Sequence, residues 1–242
     1  MSTLNSLYGL LDDLRALLFP PRCPVCGGEL PDGARTVCTR CRAEAPLTGY
    51  WRQFDNPLTR SFWGLLPVVH ASALLFFSEQ SGWRQLIHRF KYRGQWRLAG
   101  EMGRWYGAEL AGSDWYRDVE VVVPIPLHWR KRLKRGYNQS EELAEGIARE
   151  LGIPVDRHSV VRRRNNPSQA RSPHEERWKN VQDIFAVRRP ERLRGRHILL
   201  VDDVLTTRAT MVSCGEAILK AVPDCRLSVA VLAVAKHDLQ PV

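Results

Sequence analysis

Long apolar runs separated by helix-like segments are the feature that most limits how this chain can fold. Three runs are almost continuously apolar: VEVVVPIPL at 119–127, HILLVDD at 197–203 and RLSVAVLAVA at 226–235. A strand that is apolar on both sides is typical of a parallel sheet covered by helices on both faces. Helical patterns occupy 81–92, 95–112, 140–152 and 208–221, and LLPVVHASALLFF at 65–77 is a further candidate strand. The sequence therefore predicts an α/β fold with a mostly parallel sheet flanked by helices.

Two adjacent acids, Asp202 and Asp203, follow the apolar residues of the strand at 197–203. Parallel α/β proteins bind ligands beyond the carboxyl ends of their strands. The next residues, VLTTRAT, lead into a helix whose first N–H groups are unpaired and carry partial positive charge. Together with the hydroxyls of Thr206, Thr207 and Thr210, these groups form a cradle for phosphate. Acids beside a phosphate can accept hydrogen bonds from sugar hydroxyls, so the predicted ligand is a ribose 5-phosphate unit.

Four of the six cysteines form two CxxC pairs, Cys23 with Cys26 and Cys38 with Cys41. Each pair can aim two sulfur atoms at one point, and two pairs complete the tetrahedral thiolate set that suits zinc. Two disulfides or an iron–sulfur cluster are the alternatives, and zinc is favoured over both in a reducing, cytoplasmic setting. Four protein ligands leave no open position, so the predicted zinc site is structural.

The chain also resembles a known family. ILLVDDVLTTRAT resembles the phosphoribosyl diphosphate (PRPP) binding motif of type I phosphoribosyltransferases. The wider chain resembles the ComF family of ComFC- and GntX-like proteins in its CxxC pairs, in LIHRFKYRGQ, in VVPIPLHWRKRLKRGYNQSEELA and in RRRNNPSQARSPHEERWKNVQDIF. The resemblance implies a type I phosphoribosyltransferase-like domain with a small N-terminal zinc-ribbon-like module. It further implies a role in natural transformation and DNA uptake, with single-stranded DNA and DNA-processing competence proteins as partners.

The same resemblance implies which residues bind PRPP. Asp202 and Asp203 would be the catalytic acids and would bind the 2′- and 3′-hydroxyls of the ribose. The 5-phosphate would lie on the turn formed by Thr206, Thr207, Arg208, Ala209 and Thr210. The pyrophosphate, which magnesium commonly accompanies, would be bound by Lys134, Arg135, Gly136 and Lys91.

One residue departs from the family motif. The turn of the family usually reads Thr-Thr-Gly, and Arg208 occupies the glycine position here. A residue with a Cβ that is forced to a positive φ loses about 1–2 kcal/mol. Two outcomes are open: the turn keeps helical dihedrals and the guanidinium pairs with the phosphate, or the side chain crowds the pocket and PRPP binding is lost. The first is favoured.

A net charge of +10 indicates polyanionic partners such as nucleic acid or phosphorylated metabolites. Basic residues cluster in two segments, and they define a candidate nucleic-acid surface: Arg130, Lys131, Arg132, Lys134, Arg135, Arg162, Arg163 and Arg164. Trp129 and Tyr137 lie among the first group, as in surfaces that stack single-stranded bases. The alternative is that these charges serve only the pyrophosphate and solubility.

The predicted organisation is an amphipathic helix at 1–19, a four-cysteine zinc module at 20–44, an aromatic linker at 45–64 and a phosphoribosyltransferase-like domain at 65–242. No apolar run approaches the ~18–20 residues of a membrane span, so a cytoplasmic protein is expected. No residue identifies an acceptor substrate, and catalysis is left open. The predicted function is a ComF-family competence or DNA-utilisation protein. A phosphoribosyltransferase of nucleotide salvage and a non-catalytic PRPP sensor are the alternatives.

Overall fold

Four strands form a parallel sheet in the order β1-β6-β5-β2, in a computed structural model that describes residues 21–31, 36–78, 80–92, 94–163 and 184–235. The strands are β1 (Ala71–Phe76), β2 (Val121–Pro124), β5 (His197–Leu205) and β6 (Arg226–Val234). All three pairings are parallel. Two short strands, β3 (Val160–Arg162) and β4 (Phe185–Val187), form a separate antiparallel ribbon. The predicted α/β fold with a mostly parallel sheet is confirmed.

Seven helices accompany the strands in the described part of the chain. They are α1 (Thr39–Ala43), α2 (Pro57–Arg60), α3 (Gly82–Tyr92), α4 (Trp96–Ala111), α5 (Trp129–Arg135), α6 (Gln139–Leu151) and α7 (Ala209–Ala221). Four of them match the predicted helical segments, and α6 stops at Gly152, which has a φ of 68°. The segment at 1–19, for which an amphipathic helix is predicted, lies outside the described residues.

The sheet separates two apolar layers because successive strand residues point to opposite faces. Leu199 and Val201 of β5 pack with α3, α4 and α6 on one face. Ile198 and Leu200 pack with α7 and the β3–β4 ribbon on the other. Helices α4 and α6 meet backbone to backbone: a Cβ at Gly103 would lie 2.2 Å from the carbonyl oxygen of Leu143. This close contact fixes the position of α6 over the sheet.

The segment at 45–64 is more regular than the predicted linker. It contains a 3₁₀ turn at Tyr50–Arg52 and helix α2, and three of its apolar side chains are almost completely buried: Trp51, Leu58 and Phe62. Its backbone pairs with β1, since Phe76 N–H donates to the oxygen of Pro46 at 2.8 Å. The segment therefore covers the open edge of β1, which would otherwise present unpaired groups.

Two predicted strands have different ends in the structure. The candidate strand at 65–77 is regular only from Ala71, because a turn with Gly64 at a φ of 74° precedes it. Strand β5 continues through both aspartates to Leu205, pairing with β6 as far as Val234. On its other side, β2 ends at Pro124 opposite Val201. Asp202 and Asp203 therefore lie inside β5 but beyond the end of its neighbour β2.

The basic segment after β2 forms a short helix. Helix α5 begins at Trp129, where the side chain of His128 accepts a hydrogen bond from the N–H of Arg130, and ends at Gly136, which has a φ of 81°. A capping side chain and a left-handed glycine are sufficient to define a helix of this length. The charges that it carries are therefore held in a fixed arrangement.

Candidate ligand site and zinc centre

The four N-terminal cysteines converge as predicted. The sulfur atoms of Cys23, Cys26, Cys38 and Cys41 all lie within 4.8 Å of one another, and all four are free thiols. Gly27, with a φ of 76°, turns the backbone after the first pair. The N–H of Cys38 donates to the sulfur of Cys23 at 3.4 Å, and that of Cys41 donates to the sulfur of Cys38 at 3.5 Å. Such N–H···S bonds favour thiolates, the form that binds metal.

The four thiols of this cluster differ in acidity. Burial raises the pKa of Cys23, but hydrogen bonds from the N–H groups of Cys38, Cys26 and Val25 outweigh it and lower that pKa to about 7. Burial and hydrogen bonds with the other three sulfur atoms raise the pKa of Cys41. Four converging cysteines are the donor set of a structural zinc, which would hold them as thiolates. The cluster is not a separate unit: Cys23 and Cys41 are buried in the same apolar layer as Trp83 and Phe90 of α3.

The two aspartates of β5 are each held by a neighbouring element. Asp203 is 6% exposed and accepts from Lys91 Nζ at 2.9 Å and from Gln139 Nε2 at 3.2 Å. Asp202 accepts from Ser140 Oγ at 2.7 Å and from the N–H of Asp203 at 2.9 Å. Lys91 belongs to the last turn of α3, and Gln139 with Ser140 opens α6. Three elements therefore meet at the acid pair.

The ionisation of Asp202 is strongly perturbed. Burial, followed by the negative charge of Asp203, raises its pKa from 3.8 to about 6, while the bond from Ser140 and the charge of Lys91 act in the other direction. On the α7 side of the sheet, Asp202 also interacts electrostatically with Arg162. Burial lowers the pKa of Arg162, and the negative charge of Asp202 raises it. Carboxylate oxygens held in this way can accept hydrogen bonds from hydroxyls, and a carboxyl whose pKa is raised this far is typical of a functional site.

The turn after β5 keeps helical geometry. Arg208 has φ −64° and ψ −14°, and α7 begins at the next residue without a side-chain cap at its N-terminus. The arginine therefore takes the glycine position of the family motif without left-handed backbone. Thr206, Thr207 and Ala209 are exposed, and Arg208 and Thr210 are partly buried. The first N–H groups of α7, which have no partner within the helix, follow the acid pair closely in the chain and are of the kind that binds anions.

Helix α5 presents different charges on different sides. Lys131 and Arg135, one turn apart, are partly buried, whereas Arg130 and Lys134 are exposed. Burial lowers the pKa of Lys131, and the nearby positive charges of Arg162, Arg135 and Lys91 lower it further. Lys131 is thus within electrostatic reach of three other cations, of which Lys91 binds Asp203, and an anion beside them would be favoured. Lys134 and Gly136, the other predicted pyrophosphate residues, lie on the exposed part of the helix and at its end.

Three residues of this site do not stand out in the sequence: Gln139, Ser140 and, as an anion-binding residue, Lys131. Asn138 caps α6 and donates through its Nδ2 to the oxygen of Ile125 at 3.1 Å. Tyr137 donates from its hydroxyl to the oxygen of Phe90 in α3. The polar run that follows Gly136, at a helix start, is the sequence signal that could have drawn attention to these side chains.

Other residues of the candidate nucleic-acid surface are separated by the fold. Arg132 forms an ion pair with Glu141 at 2.9 Å. Arg162 lies on β3, with its guanidinium over the ring of Phe185 at 5.4 Å. Arg163 is exposed, and Arg164 lies outside the described residues, as do the residues that follow it up to 183. Tyr137 is partly buried, and Tyr92 is the exposed tyrosine beside α5, with Arg135 over its ring at 4.8 Å.

A serine, a histidine and an aspartate also line up at the amino end of the sheet. His197 Nδ1 lies 3.0 Å from Asp118 Oδ1, and its Nε2 lies 2.9 Å from Ser228 Oγ. His197 and Ser228 are both fully buried, so no substrate can reach the hydroxyl. This arrangement fastens the starts of β5 and β6 and is not a catalytic triad.

Comparison with known proteins agrees with both parts of the structure. Residues 138–242 match the family model of the Phosphoribosyl transferase domain. Residues 14–51 match that of the Double zinc ribbon domain. The class defined by fold and site is thus a phosphoribosyltransferase-type domain joined to a zinc ribbon. The chain has the two-domain composition that its resemblance to the ComF family implied, and this prediction is confirmed.

Three curated relatives carry names from DNA utilisation and competence. DNA utilization protein YhgH of Escherichia coli is 28% identical over 138 residues, which are 56% of this chain and 60% of that protein. Competence protein F of Haemophilus influenzae is 30% identical over 52% of this chain and 57% of its own. Competence protein ComFC of Bacillus subtilis is 28% identical over 78% of this chain and 68% of its own. The match thus spans about three fifths of the length of the first relative.

Among the residues that the structure describes, no helix has the length and apolar character needed to cross a bilayer.

Proposed function

We propose that this chain is a ComF-type protein that binds PRPP and acts in the cytoplasm in DNA utilisation. The observation that carries the proposal is the meeting of Lys91 and the first residues of α6 with the acid pair, at the edge of the sheet where β5 leads into the turn before α7. That edge is the carboxyl end of a parallel strand, where α/β proteins bind their ligands. The names of the relatives connect such a domain with competence and DNA utilisation.

Each part of PRPP has a group of suitable charge near this edge. Asp202 and Asp203 supply acceptors for the ribose hydroxyls, as proposed catalytic and binding residues. The turn from Thr206 to Thr210 supplies N–H groups and hydroxyls for the 5-phosphate. A pyrophosphate is negatively charged, and its charge would be balanced by the neighbouring cations Lys91, Lys131 and Arg135. Magnesium, which prefers oxygen ligands and phosphate, would accompany the pyrophosphate and neutralise part of its charge.

The test is calorimetric titration of PRPP into the purified chain with magnesium present. We expect binding by the wild type and at least a tenfold loss in Asp203→Asn, because the variant replaces a charged acceptor for a ribose hydroxyl with a neutral amide. Asp114→Asn is the matched control, since Asp114 is an exposed residue of a surface ion pair with Arg117. Absence of PRPP binding by the wild type would contradict the proposal. Pyrophosphate release with free nucleobases would separate a salvage transferase from a PRPP sensor.

We further propose that single-stranded DNA binds along the exposed side of α5. Two large apolar side chains there lie in water, Trp129 at 57% and Leu133 at 75% exposure. The guanidinium of Arg130 lies over the ring of Trp129 at 5.2 Å, and Lys134 is exposed beside it. Exposed aromatic rings next to cations suit bases and phosphates of a single strand. DNA-processing competence proteins are proposed partners on the basis of the relatives' names.

This surface is tested by fluorescence anisotropy with a labelled oligo-dT at increasing salt. A phosphate-driven interaction weakens as salt rises, with a log–log slope of about −0.7 for each phosphate contact. Trp129→Ala should weaken binding, since stacking contributes about 1–3 kcal/mol per base. Trp63→Ala is the control, because Trp63 is a tryptophan of 67% exposure outside α5. Equal effects of both substitutions, or binding that does not respond to salt, would favour a protein directed only at metabolites.

A further inference from the structure

The amide of Gln139 is only half satisfied. Its nitrogen donates to Asp203 Oδ2 at 3.2 Å. Its oxygen is buried and has no hydrogen-bond partner among the residues that the structure describes. The residue as a whole is 4% exposed. Buried polar atoms are nearly always paired, so an unpaired acceptor inside a candidate ligand site requires an explanation.

Rotating the amide does not remove the unpaired atom. With nitrogen and oxygen exchanged, the carbonyl oxygen would face Asp203 Oδ2, and two acceptors would repel each other. The carboxylate therefore fixes the orientation of Gln139. A buried acceptor without a donor lowers the stability of the fold. The unpaired oxygen of Gln139 is best explained by a donor that the ligand supplies.

The neighbours of the amide nitrogen indicate which donor would suit the oxygen. The nitrogen binds Asp203, and Lys91, which binds the other oxygen of the same carboxylate, is a cation that a phosphate would attract. A neutral hydroxyl donates one hydrogen bond and accepts another, so it can donate to Gln139 and accept from an ammonium group. We propose that Gln139 is a ligand-binding residue whose carbonyl oxygen accepts one hydroxyl of the ribose. This inference rests on the proposed function and assigns it a further binding residue.

Binding of a hydroxyl by Gln139 requires a local rearrangement. The oxygen is closed to solvent in the ligand-free protein, so the hydroxyl reaches it only after neighbouring side chains move. The side chain of Lys91 is 22% exposed and is held by Asp203. A phosphorylated ligand competes with Asp203 for its ammonium group and so opens the ion pair. Gln139 then becomes selective for the hydroxyl, because a site built for a hydrogen bond rejects an analogue that lacks it.

The test measures the affinities of ribose 5-phosphate, 2-deoxyribose 5-phosphate and 3-deoxyribose 5-phosphate for the zinc-loaded full chain. We expect one deoxy sugar to bind the wild type about tenfold more weakly than ribose 5-phosphate, as one lost hydrogen bond implies. In Gln139→Met, which has no acceptor, that penalty should fall below about twofold, while the penalty for the other deoxy sugar remains. Such a double-mutant cycle separates the contact from a general effect on the pocket.

Two variants complete the design. Gln139→Glu keeps an oxygen at this position, so it should retain the penalty even if overall affinity falls. Gln95→Met makes the same chemical change at an exposed residue whose side chain makes no capping bond to α4, and it should behave as the wild type. Equal penalties in the wild type and Gln139→Met, or equal affinity of the wild type for all three sugars, would overturn the assignment. If the wild type binds neither ribose 5-phosphate nor PRPP, the proposed function itself is wrong.

Discussion

At the scale of single residues, Asp202 combines a structural cost with a proposed binding role. Its carboxyl is partly buried next to a second acid, and its pKa is raised to about 6. A group whose pKa is higher in the folded than in the unfolded state stabilises the fold only while it is protonated. The ligand-free protein therefore carries an unfavourable charge at neutral pH. Destabilising charges of this kind are characteristic of functional sites.

The pH dependence of Asp202→Asn tests this directly. The stabilisation from the protonated carboxyl is complete below about pH 4 and is lost as the pH rises through about 6. The asparagine variant should therefore be more stable than the wild type at pH 7.5, by on the order of 2 kcal/mol, and equal to it near pH 4. Urea unfolding at both pH values measures the difference. A gain of the same size at both would show that the charge of Asp202 is not the cause.

Arg208 is the second residue with a separate prediction. Its helical dihedrals mean that restoring glycine relieves no backbone strain. Arg208→Gly should therefore lower PRPP affinity several-fold, because one cation beside the phosphate is lost while the turn is retained. Titration of PRPP into the wild type and Arg208→Gly measures this change in affinity. A large gain in affinity would instead indicate that the arginine obstructs the pocket.

At the scale of elements, α5 divides its charges between two proposed ligands. Lys131 lies among other cations near the acid pair, and Lys134 is exposed three residues later. Both are lysines of the same seven-residue helix, so exchanging either for alanine has a similar effect on helix propensity. They form a matched pair that can separate binding of a metabolite from binding of DNA.

Lys131→Ala should reduce PRPP affinity at least tenfold and Lys134→Ala by less than threefold. Loss of Lys131 removes a partly buried cation that faces the proposed pyrophosphate, whereas Lys134 is screened by water. For oligo-dT the order should reverse, because Lys134 lies on the exposed side with Trp129. Parallel titrations with both ligands give the four affinities. Equal losses of PRPP affinity in the two variants would argue against the division of α5.

The elements also show what the sequence could and could not predict. The parallel strands, the acid pair and the cysteine cluster follow from local patterns: apolar runs, neighbouring carboxylates and CxxC spacing. No such pattern predicts helix α5, because five of its seven residues are charged and its two apolar residues, Trp129 and Leu133, are too few to define an apolar stripe. Gln139 and Ser140 escape prediction because their partners are 64 and 62 residues away in the chain. Such contacts depend on where β2 ends and where α6 begins relative to β5, and no local pattern specifies this.

At the scale of the whole molecule, α3 connects the zinc ribbon with the ligand site. Its first residue, Gly82, contacts the first cysteine pair so closely that a Cβ would lie 2.1 Å from the oxygen of Val25. Its last turn carries Lys91, which pairs with Asp203. A helix of eleven residues spans about 16 Å. Structural change at the ribbon can therefore reach the acid pair through one rigid element.

Gly82→Ala should weaken both zinc binding at the cysteine cluster and PRPP binding at the acid pair. The added methyl group collides with backbone, which typically costs about 1–3 kcal/mol and lowers the Tm by roughly 4–8 °C for a loss of 2 kcal/mol in a chain of this size. Zinc release to a chromophoric chelator should become faster, and PRPP affinity should fall. Gly100→Ala is the control, since its Cβ would meet the oxygen of Glu142 at an ordinary 3.8 Å. Unchanged zinc release in Gly82→Ala would mean that the ribbon and α3 are independent.

The unequal lengths of β2 and β5 have a consequence for how such a pocket arises. Since β2 ends at Pro124 while β5 continues to Leu205, β2 does not extend beside the two aspartates, and a ligand can approach them at this edge of β5. The position of the candidate site therefore depends on Pro124, the residue at which β2 ends. Lengthening β2 by two residues would place a strand beside both aspartates and block this approach without changing any residue of the candidate site.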